Sequence, residues 1–365
     1  MKKKTSSLTV GRFIIVGVYV VLFALFIHGL KPKTHNNNNN NPDVLHIFGW
    51  PEQFLPSTIK RFTDETGIEV KTHLYLSNEE LLTKMRRMKE ADYDILIPSD
   101  YAVKSLIKEG MLQPIDHSKL DFYNNFIPGL LNLNYDPGNK YSLPYQWEVF
   151  GFGVDKNYFK DYSSLSWETL FSIHDTGLKI SMVDDPIEAI QMSAFYQYGP
   201  NNSMKLTHKQ TQSILHTLKQ QKKNVEAYTN MKPDYLLATK NCQLAVSSSA
   251  WILRSIEDNP HVEFVIPQDW SFISIENMCI HKDSKKQKAI YAFLNFIYQD
   301  QVMARDCGTF LNFPSITTAL PLMENPHPKY VRCFNQAAKK LSFFYFITPL
   351  LSEQETTKLW VDLKT

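Results

Sequence analysis

The chain has 365 residues, enough for two ordinary domains, and its 43% hydrophobic and 13% aromatic content can fill substantial cores. Its 39 Lys and Arg against 37 Asp and Glu leave a formal net charge of +2, with the basic residues scattered rather than striped. A nucleic-acid-binding role is therefore not expected.

Lys2, Lys3, Lys4 and Arg12 precede an apolar run from Phe13 to Ile27. Basic residues ahead of such a run describe either a secretory signal peptide or a membrane anchor whose start stays in the cytoplasm. The run is short for a spanning helix, yet His28-Gly29-Leu30-Lys31 offers no small-x-small cleavage site, which tilts the expectation towards an uncleaved anchor. On either reading the rest is exported, and membrane contact is confined to this segment. The first cysteine is Cys242, so a lipid-modified N-terminal cysteine is excluded. Asn36 to Asn41 reads as a flexible spacer. Cys242, Cys279, Cys307 and Cys333 lack the close spacing of a zinc or redox pair and read as buried free thiols.

After the spacer, Val44 to Phe48 reads as a strand, stopped by Gly49 and followed by Trp50, Pro51, Glu52 and Gln53 in a turn. Leu55, Ile59 and Phe62 recur at helical spacing up to Thr66, and Gly67 stands where a helix C-cap belongs. Ile68 to Tyr75 is the next strand. Ser77-Asn78-Glu79-Glu80 fits a capping box, ahead of a helix with Leu81, Leu82, Met85 and Met88 on one face and a solvated charged face. Ile95-Leu96-Ile97 reads as a strand buried on both faces, followed at once by Pro98, Ser99, Asp100 and Tyr101. Ser99 or Asp100 fits the N-cap of the helix that runs to Gly110. Strand and helix thus alternate three times, the signature of a doubly wound α/β domain with parallel strands. Ligands bind such sheets just beyond the carboxyl ends of their strands, which makes Trp50, Ser99 and Tyr101 candidates at one edge.

Residues 111 to 141 are rich in breakers. The aromatic run from Tyr141 to Val154, relieved by Gly151 and Gly153, suits a strand passing from one domain to another with backbone freedom at the two glycines. The next part has a strand near Lys179 to Val183, helices from about Ile187 to Gly199 and Thr207 to Lys222, and a buried-type strand at Leu244-Ala245-Val246. In Asp184-Asp185-Pro186-Ile187-Glu188, a helix starting near Pro186 carries Asp185 at its N-cap and Glu188 in its first turn. Ordinary capping accounts for both acids, and so does a ligand site. A second crossing falls at Phe272 to Ile280, before a helix from Lys285 to Tyr298. Two crossings imply discontinuous domains with a cleft between them.

Trp50-Pro51-Glu52, Phe62 to Ile68, Tyr93 to Ser99, Lys108 to Met111, Tyr141 to Tyr145 and Asp184-Asp185 share their order and spacing with one family. Over Val44 to Lys364 the chain resembles the periplasmic spermidine/putrescine-binding proteins of ABC transporters. The resemblance implies an α/β type II periplasmic-binding-protein fold, in which two α/β lobes joined by hinge strands close on a ligand cleft. Residues 44–148 with 276–321 would form one lobe, and 149–275 with 322–365 the other, after an N-terminal segment 1–43. It implies a polyamine as ligand, the permease of an ABC importer as partner, and no enzymatic activity. Carried over residue by residue, the family's ligand positions fall on Trp50, Glu52, Ser99, Tyr101, Asp185 and Glu188, with Glu276 in place of a family aspartate and Phe313 in place of a tyrosine. Ser248 and Ser274 fall where the family usually has tryptophans, Gln53 where it has a tyrosine, and Phe346 where it often has a glutamine. Trp147, Trp251, Trp270 and Phe272 are the aromatic residues available to fill that space.

The chemistry is coherent. A polyamine is a methylene chain carrying protonated amines, so its site needs separated carboxylates and aromatic walls. Glu52, Asp185, Glu188 and Glu276 supply the first, and Trp50, Tyr101 and Phe313 the second. Capture of another organic cation, or a tethered module with a degenerate site, remains as an alternative. No GxSxG, HExxH, P-loop or strand-borne GxGxxG occurs, and the eleven histidines show no ligand spacing, so no cofactor or metal is expected.

Overall fold

The computed structural model describes residues 44–365 apart from 89–91, 173–176, 202–203 and 231. The expectations of a signal or anchor and of a spacer lie in residues 1–43, outside the described residues. Among the described residues no helix is long and apolar enough to cross a membrane, and Cys242, Cys279, Cys307 and Cys333 are buried and unbridged.

The strands are β1 (Val44–Gly49), β2 (Glu69–Leu74), β3 (Ile95–Leu96), β4 (Ser142–Asp155), β5 (Ile180–Met182), β6 (Val225–Tyr228), β7 (Leu244–Ser248), β8 (Val262–Val265), β9 (Ser271–Ile280), β10 (Phe313–Pro314) and β11 (Phe344–Phe346). The helices are α1 (Pro56–Thr66), α2 (Asn78–Arg87), α3 (Asp100–Lys108), α4 (Trp167–Phe171), α5 (Pro186–Tyr198), α6 (His208–Lys222), α7 (Pro233–Ala238), α8 (Ser249–Leu253), α9 (Gln287–Ile297), α10 (Asp300–Phe310), α11 (Pro328–Lys339) and α12 (Glu353–Lys364).

The first three strands obey the expected βαβ alternation. Pro56 opens α1, whose last turn is closed by Gly67 at φ 73° with its N–H on the Thr63 carbonyl. Ser77 caps α2 by accepting from the Glu80 N–H at 3.1 Å. These helices return the chain so that β1 lies between β2 and β3, parallel to both. The sheet is mixed rather than all parallel, because β9 joins β3 antiparallel and β4 joins β9 antiparallel.

The order β2-β1-β3-β9-β4-β7-β5-β6 has its turning point in β4. From Ser142 to Val149 that strand pairs with β9, and from Phe150 to Asp155 with β7 and β8. On the far side β5 is parallel to both β6 and β7. One strand therefore carries two α/β sections, packed by two large apolar clusters of which the first also takes in Ala245, Ile252 and Val262 from the far side. Leu45, Ile95 and Phe293 belong to the first, and Phe152, Trp167 and Phe195 to the second. Helix α11 touches both sections. Its Phe334 packs on Trp147 and Phe313, while its Arg332 pairs at 2.7 Å with Glu263 of β8.

Gly151 and Gly153 are not points of backbone freedom. A Cβ on Gly151 would meet the Val265 carbonyl oxygen, and one on Gly153 would crowd Leu237 and Ile252. Both glycines are demanded by close packing of β4 against its neighbours.

Candidate functional site

The site is built from loop residues that leave the carboxyl ends of β1 and β3, from the start of α5, and from the middle of β4 and β9. After Gly49 the chain turns so that the Trp50 ring packs on Tyr75 at 4.7 Å. Ser99 occupies the N-cap position of α3, yet its hydroxyl does not cap the helix. It donates instead to Glu276 Oε1 at 2.8 Å, and a backbone bridge joins the same two residues. Asp100 is buried and accepts from the Ile275 N–H at 3.2 Å, locking α3 to β9. Burial pushes its carboxyl up to about 7. The Tyr101 hydroxyl donates to Glu79 at 2.6 Å.

Across the cleft, Asp185 caps α5. Its Oδ1 accepts from the N–H groups of Ile187 at 2.8 Å and Glu188 at 3.0 Å. Capping and a ligand role are compatible, because both bonds fall on one oxygen.

Burial raises the carboxyls of Asp185, Glu188 and Glu276 above their usual range. Like charges reinforce it: Glu188 feels Asp185, Glu148 and Glu79, while Glu276 feels Glu148 and Asp100. The Ser99 hydroxyl works the other way, favouring a charged Glu276. Acids from both sections thus face a shared, poorly solvated space. A cation among them would favour their ionised forms.

Sequence reasoning missed two of these acids. Glu79 read as part of a capping box with a solvated face, but it holds Tyr101 and contributes to the field at Asp185. Glu148 was hidden inside an aromatic strand. The signal was a lone carboxylate in an apolar run, and it is the one residue of β4 that is half-buried rather than buried.

Two expected ligand positions have partners within the protein. Glu52, at φ 60°, forms an ion pair with Arg254 Nη1 at 2.8 Å, so its charge is already matched. Phe313 is 0% exposed and lies against Trp147, Tyr330 and Phe334 at 4.9 to 5.5 Å. Pairing of β10 with β4 at Trp147 draws this ring into the core rather than towards the acids. Three of the aromatic residues available as replacements are core as well. Trp147 donates to the Pro314 carbonyl, Trp270 stacks on Trp167, and Phe272 is fully buried. Trp251 is half-buried beneath the Arg254 guanidinium, 4.6 Å from its ring centre. Among the described residues no group of His, Cys, Asp and Glu is arranged to hold a metal ion.

The sequence profile of the bacterial extracellular solute-binding proteins matches residues 57–330. The spermidine/putrescine-binding periplasmic protein of Escherichia coli K12 is 29% identical over 294 residues, 80% of this chain and 82% of the relative. The putrescine-binding periplasmic protein SpuD of Pseudomonas aeruginosa is 27% identical over 342 residues, 88% of this chain and 92% of the relative. Among solved structures, the spermidine/putrescine ABC transporter substrate-binding protein PotD of Streptococcus pneumoniae superposes with a TM-score of 0.75 at 25% identity, covering 88% of this chain and 98% of its own. The fold is accordingly the type II periplasmic-binding-protein arrangement, two α/β lobes joined by hinge strands.

Proposed function

Since the chain belongs to the bacterial extracellular solute-binding proteins, a family of transporter components rather than enzymes, we propose that it captures a polyamine such as spermidine or putrescine and delivers it to an inner-membrane ABC permease. What supports this reading is the grouping of Asp185, Glu188 and Glu276, each raised by burial, with Glu148 acting on the last two and Ser99 donating to Glu276 at 2.8 Å. Relatives named for spermidine and putrescine binding support the same cargo.

Capture needs no chemistry on the ligand. The site lies near the N-termini of α3 and α5, whose partial positive charge disfavours a cation, so the ammonium groups must be held by side chains. Trp50, Tyr101, Ser99, Asp185, Glu188 and Glu276 form the contacting set. Residues 44–148 with 276–321, and 149–275 with 322–365, act as the two lobes, and the change of partners within β4 supports a hinge near Val149. A ligand touched by both lobes favours closure through its differential contacts with the two states. Closed protein is what the permease receives. The protein works in the periplasm, exported by a signal peptide or tethered by an uncleaved anchor in residues 1–43.

Calorimetric titration of the purified chain with spermidine, putrescine, cadaverine and spermine tests this. Saturable binding that is lost in Asp185→Asn is the expected result, since Asn keeps the helix cap and removes the charge. Absence of binding by every amine would overturn the reading.

A further inference from the structure

Glu148 lies where the two sections meet, directly opposite Ser274 in the pairing of β4 with β9. The Ser248 hydroxyl and the Ala250 N–H favour its charged form, from β7 and the start of α8. Its cross-strand partner Ser274 and the Ser248 hydroxyl are thus small and hydroxylic. Gln146 pairs with Glu276 and Glu148 with Ser274, so Glu148 and Glu276 are diagonal neighbours on one face of the sheet, and both Glu276 and Glu188 feel the Glu148 charge.

The acids act on one another: Glu79 on Asp185, Asp185, Glu148 and Glu79 on Glu188, and Glu148 on Glu276. Oε2 of Glu276 is a buried oxygen with no hydrogen bond of normal geometry among the described residues, although the Trp50 indole favours its charge. The protein cation facing Glu148 is Arg254, and it is engaged elsewhere. It pairs with Glu52 at 2.8 Å and donates to the Phe310 carbonyl at 3.2 Å. A diamine brings two ammonium groups, fewer than the carboxylates Asp185, Glu188, Glu148 and Glu276 that act on one another. A triamine brings a third.

Resting on the polyamine reading, we propose that Glu148 is a specificity-determining residue, which with Glu188 and Glu276 holds an additional ammonium group and so selects a triamine over a diamine. Calorimetry on the purified chain and on Glu148→Gln, with spermidine as the triamine and putrescine as the diamine, tests this. The unaltered chain is expected to bind spermidine at least about tenfold more tightly than putrescine. Glu148→Gln is expected to erase about tenfold of that preference by weakening spermidine more than putrescine. Glu148→Asp, which keeps the charge, is expected to retain the preference, and circular dichroism verifies that both variants fold. An unchanged preference in Glu148→Gln, or an equal loss for both amines, overturns the inference and leaves the polyamine reading standing. Failure of the unaltered chain to bind either amine overturns both.

Discussion

The guanidinium of Arg254 lies 2.8 Å from the carboxylate of Glu52, joining the end of α8 to the turn after β1. The same guanidinium reaches the Phe310 carbonyl and covers the Trp251 ring. One residue that follows β7 is therefore held by two segments of the other section. Glu52 becomes part of that junction instead of a free anion. Its side chain is 50% exposed, so solvent screens the pair and its worth is at most about 1 kcal/mol.

Glu52→Gln is accordingly expected to change polyamine affinity by less than about threefold, because it removes a charge that is already matched. Asp185→Asn is expected to weaken binding by about thirtyfold or more, within the range for breaking one desolvated charge pair. Calorimetric dissociation constants for the two variants make the comparison. A tenfold loss in Glu52→Gln would put that carboxylate on the ligand.

Ser99→Ala removes the hydroxyl that donates to Glu276 at 2.8 Å. That hydroxyl favours the charged carboxylate, which is the form an ammonium group needs. The loss is worth about 1 to 2 kcal/mol, so affinity is expected to fall by about five- to thirtyfold. Since Ser99 makes no side-chain cap bond to α3, thermal stability without ligand is expected to change little. Unaltered affinity would separate Glu276 from the ligand.

Gly151→Ala probes the close packing of β4. The added methyl would meet the Val265 carbonyl and the Phe264 ring, neither of which yields without moving β8. A loss of about 1 to 3 kcal/mol is expected, read as a lower urea midpoint. A hinge glycine selected only for flexibility would tolerate alanine with a far smaller change.

Trp50, Ser99 and Tyr101 were legible because a parallel βαβ pattern puts strand ends at one edge, and β1 and β3 are parallel neighbours. Asp185 was legible because Asp-Pro with a glutamate in the following turn marks a helix start, and the cap is there. The expected use of Ser99 as a cap failed for a reason no local pattern carries. Its partner is Glu276, brought beside it by the antiparallel pairing of β3 with β9. The ion pair of Glu52 was out of reach for the same reason, since a short-range reading could not see Arg254. Phe313 shows that a matching position does not decide which way a ring points. Glu148 was readable in principle, as a charge that an otherwise buried strand had to carry for a purpose.

The acid cluster also sets the pH dependence. Burial raises Glu188, Glu276, Glu148 and Asp185 above the model-peptide range near 4. The ligand-free fold therefore binds more protons than the unfolded chain over the interval between that range and the raised values. Their contribution to stability is fully present below about pH 4 and is lost as pH rises through the raised values. Bound ammonium groups reverse the sign by stabilising the ionised carboxylates. The rise in melting temperature produced by saturating spermidine is thus expected to be larger at about pH 8 than at about pH 5.5. Binding near neutrality is expected to release protons, measured as a dependence of the calorimetric heat on the buffer's ionisation enthalpy. Equal stabilisation at both pH values without proton release would mean that the carboxylates are already ionised before the amine arrives, with Arg254 and solvent balancing more of their charge than the ion pair to Glu52 implies.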